Sequence, residues 1–492
     1  MKMLPLLCCM VVFSISAAEC AAGSRMQALD RSVLPAVTSE AQCDSAFQPA
    51  LDRIGRAAGT AGVMVVSLSS GKVLCESRPK DGFVPASLMK LLTSYAALKK
   101  LGPSFRFTTR VLAAEAPVGG TIAGDIWIKG SGDPHFVSED AVELANAVKE
   151  SGVRQIRGNV FVDEGFFQPV SEHICLDSDC VGVYNPVISA AAIDYNILTV
   201  KITLHAKAGK SFSADSGLAD GYVLVSSQAN SGRKGENPLR LRTLGAAGNG
   251  QEQFQLSGRA PARGGRYREF RFNAADPAGL FAHAMRAALE RSGVKVLGTV
   301  AREGKAPPDP IVIASYDSPQ LAELISGLNK FSNNFMAEML FRSLGAYVDG
   351  APGNSEKGIS VVRKTLEEAG IPDEIETFDC GSGLSRFCRI SPETFCSLLT
   401  AAWRDTAVRE EFISSLAVNG EKGTLMRRMH RPGFTVRGKT GTLKDVIGFA
   451  GYVSGPSGNT FAAAIILNDV RDRFKAREAV DSLLEQVAFS GS

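Results

Sequence analysis

Short strand-like segments separated by glycine-rich turns occupy the chain from about residue 105 to residue 306, and longer elements flank them on both sides. Ahead of this stretch, residues 62–102 predict two β-strands followed by a helix that Gly102 ends. Behind it, residues 434–467 predict an antiparallel meander, and residues 472–489 predict an amphipathic closing helix. The two ends would form one domain, into which the central stretch would be inserted.

The central stretch contains an internal echo, which is a helix–turn–strand pattern that occurs twice. Residues 142–150 and residues 280–290 each predict a helix, and each helix is followed by Ser-Gly-Val and then by a strand, near Val160 and Val300 respectively. This pattern indicates either a duplicated module or two small α/β subdomains.

These observations set the expected domain limits. The catalytic part would be discontinuous, with residues 40–105 and 306–489, and the inserted region would span residues 106–305. Within the insertion, we expect one subdomain from residues 106–135 with 190–305 and another from residues 136–189.

The composition of the 492 residues is that of an ordinary folded protein, with 45% hydrophobic and 21% charged residues. Disorder, collagen and a coiled coil are therefore excluded as the main state. After the first 25 residues no apolar run reaches the roughly 20 residues that span a bilayer, which excludes a polytopic membrane protein. A net charge of only +3 gives no electrostatic reason to expect nucleic acid as a partner.

The N-terminus resembles a secretory signal over residues 1–22. Lys2 supplies a positive start, residues 3–15 are a short apolar stretch, and residues 16–18 are small enough for a signal peptidase. We expect a secreted, periplasmic protein with the signal cleaved and at most peripheral membrane association.

An oxidising compartment makes disulfides an expected feature. Cys175 and Cys180 are close enough to close a small loop, whereas Cys380, Cys388 and Cys396 could supply one pair and one free thiol. Cys-x-x-Cys and His-Glu-x-x-His are both absent from the sequence, so we expect no zinc site. We also predict no other metal and no cofactor.

The sequence lacks the Gly-x-Ser-x-Gly motif of many serine hydrolases, and serine chemistry without a histidine base commonly uses lysine. Ser-x-x-Lys places both side chains on one helix face, but the pattern recurs in turns and loops. Only Ser87 and Lys90 open an apolar-periodic helix, whose N-terminus could stabilise an oxyanion. The alternative is that Ser87 merely caps the helix and that Lys90 is a solvated surface residue.

Two further patterns could join this pair. Residues 332–334, Ser-Asn-Asn, precede a helix predicted over residues 335–344. Lys439 and Gly441 alternate with Thr440 and Thr442 on a predicted strand, and a cation beside hydroxyls suits a substrate that ends in a carboxylate. The ordinary alternatives are a polar loop and a strand edge protected by lysine.

The three patterns in this order resemble the active-serine penicillin-recognising enzymes, whose signature is Ser-x-x-Lys, then Ser-x-Asn, then Lys-Thr-Gly. The gap between Ser87 and Ser332 is much longer than in compact β-lactamases. The chain therefore resembles the low-molecular-mass class C penicillin-binding proteins, the D-alanyl-D-alanine carboxypeptidase/endopeptidase family typified by penicillin-binding protein 4. Secondary matches are residues 130–134, 184–186, 194–196, 381–386 and 420–425.

The resemblance implies an α+β fold. It has a serine β-lactamase/transpeptidase-like domain, which is an antiparallel sheet flanked by helices, with a large inserted region of two smaller α/β subdomains. One departure is Asn333, where Asp is common in the family, and that position is not thought to carry the chemistry.

The resemblance also implies the roles of individual residues. Ser87 would be the nucleophile and Lys90 its base, while Ser332 would relay a proton to the leaving amine under the influence of Lys439. Asn334 would hold Lys90 and the substrate. The backbone N–H groups of Ser87 and Thr442 would form the oxyanion hole. The residues implied in substrate binding are Thr440, Gly441 and Thr442, with Asp179 as a candidate for a diaminopimelate amine.

The function implied is an exported serine-type D-Ala-D-Ala carboxypeptidase that also has the potential to act as a D,D-endopeptidase. Its partners would be peptidoglycan stem peptides, with β-lactams as acylating inhibitors. A β-lactamase or esterase on the same scaffold, and a non-catalytic wall-binding protein, are the alternatives. The sequence does not predict an oligomeric state.

Overall fold

The computed structural model describes residues 42–43, 45–169, 182–204, 212–231, 238–247, 250–260, 267–301, 304–372 and 377–490. The helices are α1 Gln48–Ala57, α2 Met89–Leu101, α3 Ser138–Glu150, α4 Pro277–Ser292, α5 Leu321–Phe331, α6 Asn334–Asp349, α7 Ser355–Glu368, α8 Pro392–Arg404, α9 Arg409–Ser414 and α10 Arg473–Ala488. The strands are β1 Gln42–Cys43, β2 Thr60–Ser67, β3 Val73–Ser77, β4 Thr108–Ala113, β5 Thr121–Ile122, β6 Ile126–Lys129, β7 Gln155–Ile156, β8 Val160–Asp163, β9 Ile197–Leu204, β10 Phe212–Asp215, β11 Val223–Ser227, β12 Asn230–Ser231, β13 Arg240–Ala246, β14 Glu252–Ser257, β15 Arg259–Ala260, β16 Tyr267–Asn273, β17 Lys295–Val296, β18 Ile311–Asp317, β19 Ala417–Val418, β20 Thr435–Leu443, β21 Val446–Ser454 and β22 Thr460–Asn468.

The largest sheet joins the two ends of the chain. Its seven strands follow the order β1-β3-β2-β22-β21-β20-β19, and every neighbouring pair is antiparallel. The meander predicted from residues 434–467 is therefore confirmed as β20, β21 and β22. β2 pairs along its whole length with β22, so the N-terminal strands extend the same sheet.

Helices cover both faces of this sheet. Val65 and Ile465 belong to an apolar cluster with α1 and α10, whereas their neighbours Val66 and Ala464 pack in the cluster that contains α2 and α5 to α9. Successive strand residues point to opposite faces, so β2 and β22 contribute to both cores. The predicted antiparallel sheet flanked by helices is confirmed.

The central part of the chain forms smaller sheets, and the two echoed units lie side by side in it. β7 and β17, which follow α3 and α4, pair in parallel. One apolar cluster contains Leu144 of α3 together with Phe281 and Met285 of α4. The two helix–turn–strand units of the echo thus share a core. The domain limits given in the sequence analysis stay predictions.

Several predictions concern parts of the chain outside the described residues. These are the signal segment over residues 1–22, the Cys175–Cys180 loop and Asp179. Within the described ranges, we find no helix long and apolar enough to cross a membrane. A disulfide joins Cys43 on β1 to Cys75 on β3, a pairing that the sequence analysis did not identify.

Candidate active site

Ser87 lies in a single 3-10 turn, Ala86–Leu88, that leads directly into α2. Leu88 and Met89 are fully buried beside it, and they anchor the turn in the core, whereas Ser87 itself is only half-buried. The chain therefore holds the hydroxyl at a helix N-terminus without covering it.

Lys90 follows one turn later and points back to this serine. Its Nζ donates hydrogen bonds to Ser87 Oγ at 2.8 Å, to Asn334 Oδ1 at 2.8 Å and to the Ser382 carbonyl at 2.7 Å. The side chain is fully buried, so the solvated-surface alternative is wrong. Burial lowers the pKa of Lys90 to about 7, an effect that the Glu338 carboxylate opposes.

The Ser-Asn-Asn segment connects α5 to α6. Ser332 adopts a left-handed conformation, with φ of 59°, immediately after α5. Asn333 then caps α6 by accepting a hydrogen bond from the Met336 N–H at 3.1 Å. Asp and Asn are about equally good at this position, which explains why Asn333 can stand where the resemblance leads us to expect Asp.

Asn334 connects three parts of the chain. While its Oδ1 accepts from Lys90, its Nδ2 donates to the Tyr184 carbonyl at 2.8 Å. Tyr184 belongs to the stretch predicted as the insertion, so that stretch contributes main chain directly to the site.

Lys439 lies on β20 and is fully buried, so the alternative of a strand edge protected by an exposed lysine is wrong. Its Nζ donates to Ser332 Oγ at 2.8 Å and to the Thr440 carbonyl at 2.8 Å. Burial, reinforced by the positive charge of Lys90, places the pKa of Lys439 well below its ordinary value. The two lysines therefore disfavour each other's charged form, as two ammonium groups in one buried site must.

Two glycines allow the surrounding main chain to approach the Ser87 turn. A Cβ added to Gly441 would lie 2.8 Å from the Pro85 carbonyl oxygen, and one added to Gly383 would lie 1.8 Å from the Ala86 carbonyl oxygen. Gly383 also has a φ of +79°, which disfavours other residues. The site is thus closed by β20 on one side and by the loop that contains Gly383 on another.

The sequence analysis missed Glu338, which is fully buried one turn after Asn334 on α6. Its Oε1 accepts a hydrogen bond from the Ser382 N–H at 2.8 Å. Since the Ser382 carbonyl accepts from Lys90, the carboxylate positions the acceptor of the lysine. The i, i+4 spacing from Asn334 was the available signal, because it places both side chains on one helix face.

The alternation predicted for β20 is confirmed. Lys439 and Gly441 are buried, whereas Thr440 is half-buried and Thr442 is exposed. Both threonines line a cleft of about 510 Å³. Charged side chains of both signs that the sequence analysis did not single out also line it, and they are Arg427, Arg428, Arg477, Glu478 and Asp481. Arg428 donates a hydrogen bond to Asp481 within this set.

One group in the described part of the chain has ligand atoms close enough to hold a metal ion. It comprises Asp379, Cys380 and Cys388, whose ligand atoms lie within 4.8 Å of one another. The group lies beside the loop that holds Lys90, and not among the residues that contact Ser87.

A half-buried serine at a helix N-terminus contacts one buried lysine, and a second buried lysine lies on β20 of an antiparallel sheet flanked by helices. This arrangement defines a serine hydrolase of the penicillin-recognising fold class. Residues 44–487 match the D-Ala-D-Ala carboxypeptidase 3 (S13) family, and the chain belongs to that family. It is 33% identical over 431 residues to a D-alanyl-D-alanine carboxypeptidase of Actinomadura sp. strain R39, with 83% of this chain and 77% of the relative covered.

Solved structures of other proteins share this fold. Penicillin-binding protein 4 of Haemophilus influenzae superposes with a TM-score of 0.76 at 21% identity, covering 90% of this chain and 99% of that one. A second structure of that protein is complexed with a β-lactam. A predatory endopeptidase of Bdellovibrio bacteriovorus, in complex with an immunity protein, superposes with a TM-score of 0.51 at 15% identity, covering 87% and 92%. Recognition of the family from the three motifs is therefore confirmed.

Proposed function

We propose that this enzyme is exported and removes the terminal D-alanine from peptidoglycan stem peptides through an acyl-enzyme on Ser87. The observation that carries the proposal is the 2.8 Å contact between Ser87 Oγ and the buried amine of Lys90. A lysine with a pKa near 7 is largely neutral at slightly alkaline pH and can then accept the serine proton.

Acylation would begin with attack of Ser87 Oγ on the carbonyl carbon between the two D-alanines, while Lys90 takes the hydroxyl proton. The backbone N–H groups of Ser87 and Thr442 would stabilise the negative oxygen that forms. The close approach of Gly441 to the Ser87 turn supports this pairing, since it brings the strand next to the nucleophile.

The leaving D-alanine amine needs a proton, and Ser332 would supply it. Its hydroxyl lies 2.8 Å from Lys439 Nζ, so Lys439 can supply a new proton to Ser332 after this transfer. Asn334 would hold Lys90 in place throughout. Water would then attack the ester with Lys90 as base and release the shortened peptide.

The terminal carboxylate would bind along β20 through Lys439, Thr440 and Thr442. The position of Lys439 supports this assignment, because its Nζ lies 2.8 Å from Ser332 Oγ and 2.8 Å from the Thr440 carbonyl and brings a cationic group to this part of the strand. Asp179 stays a candidate for the free amine of a diaminopimelate side chain.

The solved relatives extend the proposal in two directions. Because a β-lactam is bound to penicillin-binding protein 4 of H. influenzae, we expect β-lactams to acylate Ser87 of this enzyme. The likeness in fold to an endopeptidase supports a D,D-endopeptidase activity as well, in which the leaving amine belongs to a neighbouring stem peptide.

Carboxypeptidase activity is tested by mass spectrometry, as release of D-alanine from a diacetyl-L-Lys-D-Ala-D-Ala tripeptide. Endopeptidase activity is tested in parallel, as cleavage of a cross-linked dimeric stem peptide. Ser87→Ala should abolish release. The matched control is Ser69→Ala, because Ser69 and Lys72 have the same Ser-x-x-Lys spacing but lie in an exposed turn. This variant should keep full activity. A Ser87→Ala enzyme that still releases D-alanine would refute the proposal, and rapid hydrolysis of penicillin without peptide cleavage would favour a β-lactamase.

A further inference from the structure

Two buried cysteines contact each other next to the active site. The Sγ atoms of Cys380 and Cys388 lie 3.8 Å apart, and the two residues are 1% and 0% exposed. Just outside this segment, Thr377 and Arg389 form an antiparallel bridge with hydrogen bonds in both directions. The backbone therefore brings the two ends of the segment together independently of the sulfur atoms.

The segment between these cysteines is hydrogen-bonded to α2. The Ser382 carbonyl accepts a hydrogen bond from Lys90 at 2.7 Å, and the Gly381 carbonyl accepts one from Thr93 Oγ1 at 2.9 Å. Gly383 packs against the Ala86 carbonyl, directly before Ser87. Any constraint on residues 380–388 is therefore a constraint on the position of the lysine and its serine.

We propose that Cys380 and Cys388 form a second disulfide, which fixes this loop against α2 and holds the Ser382 carbonyl on Lys90. Formation of the bond would shorten the 3.8 Å contact between the two sulfur atoms to roughly 2.05 Å. The third buried thiol, Cys396, contacts the Met64 carbonyl at 3.3 Å, so it provides an internal comparison.

The bond requires an oxidant of the disulfide class, such as oxidised glutathione. One cysteine thiolate would attack it and displace one thiol, and the second cysteine would then attack the mixed disulfide and displace the other. The two cysteines lose two protons and two electrons, and the oxidant leaves as two thiols.

The bond should form while the chain folds. Cys380 and Cys388 are almost completely buried, so in the folded enzyme their sulfur atoms are shielded from a dissolved oxidant. A bond made during folding would be protected for the same reason. Persistence in the cell rests on the proposed export, whereas formation in a glutathione buffer does not.

The test is a peptide map of the enzyme refolded in glutathione redox buffer and alkylated before digestion. Trypsin cuts after Lys364, Arg386 and Arg389, so the two cysteines fall in peptides 365–386 and 387–389. We expect these peptides to remain joined until a reductant is added, and Cys396 to be alkylated after denaturation. Two separate, alkylated peptides would overturn the proposal, whether or not the enzyme is active.

The effect on the active site is measured with the Cys380→Ser/Cys388→Ser double variant, which keeps both side chains small. Both enzymes are assayed without reductant, which keeps the Cys43–Cys75 bond intact. Under these conditions we expect benzylpenicillin to acylate the double variant several-fold more slowly than wild type. Cys396→Ser should react at the wild-type rate. Equal rates for the double variant and wild type would refute the positioning role of the bond.

Discussion

The amine of Lys90 lies 2.8 Å from the hydroxyl of Ser87 in a position that is closed to solvent, although Ser87 itself is half-buried. A charged lysine in that position would have lost its hydration, so burial favours the neutral amine. The same burial that places the two groups in contact therefore prepares the lysine to act as a base.

The first prediction concerns the pH dependence of acylation. Only the neutral amine of Lys90 can accept the serine proton, and the pKa of Lys90 is about 7. The rate of acylation by a β-lactam should therefore rise with pH through about 7 and level off above it. Stopped-flow measurement with a chromogenic cephalosporin tests this, and a rate that falls as pH rises through this range would contradict it.

The second prediction concerns Glu338, whose negative charge raises the pKa of Lys90. Glu338→Gln keeps an oxygen to accept from the Ser382 N–H but removes the charge, so the rising limb of the acylation profile should move to lower pH. Glu323→Gln, at an exposed position on α5, should leave the profile in place. A rising limb that stays at the wild-type pH in the Glu338 variant would mean that the charge does not act on Lys90.

The third prediction concerns Lys439, which donates to Ser332. Lys439→Gln should slow acylation roughly 100-fold or more, because both the proton relay and the carboxylate contact lose their cation. Lys444→Gln removes an exposed lysine just beyond the same strand and should have little effect. Comparable loss in both variants would point to a general electrostatic effect and not to the Ser332 contact.

The fourth prediction separates backbone strain from crowding. Gly71 and Gly383 have similar φ values of +74° and +79°, but a Cβ at Gly71 meets nothing within 4 Å. Both alanine variants should lose about 1 kcal/mol of stability from the unfavourable φ. Only Gly383→Ala should also lose acylation, since its Cβ would displace the Ala86 carbonyl next to Ser87. Thermal unfolding and acylation rates of the two variants provide the comparison.

Much of this site could be predicted because its residues form short sequence motifs within single helices and strands. The helix spacing of Ser87 and Lys90 and the alternation along β20 follow from the 3.6-residue and two-residue periods of helices and strands. The meander was predictable for the same reason, since β21 and β22 are buried along almost their whole length and form continuous apolar runs.

What the sequence could not provide depends on contacts between distant segments. The Cys43–Cys75 bond follows from the register of β1 against β3, in which the two residues face each other. The hydrogen bond from Asn334 to the Tyr184 carbonyl involves main chain, which carries no signature of residue type. The sequence analysis also assigned no element to residues 392–414, where α8 and α9 form because their apolar faces complete the core around α2.

The central claim is that Ser87 is the acylated nucleophile, and intact-mass spectrometry after exposure to benzylpenicillin tests it most directly. The wild-type enzyme should gain the mass of one penicilloyl group, and peptide mapping should locate it on Ser87. Ser87→Ala should gain nothing, while Ser69→Ala should be labelled like wild type. A stable adduct on the Ser87→Ala protein, or on any other residue of the wild type, would contradict the claim.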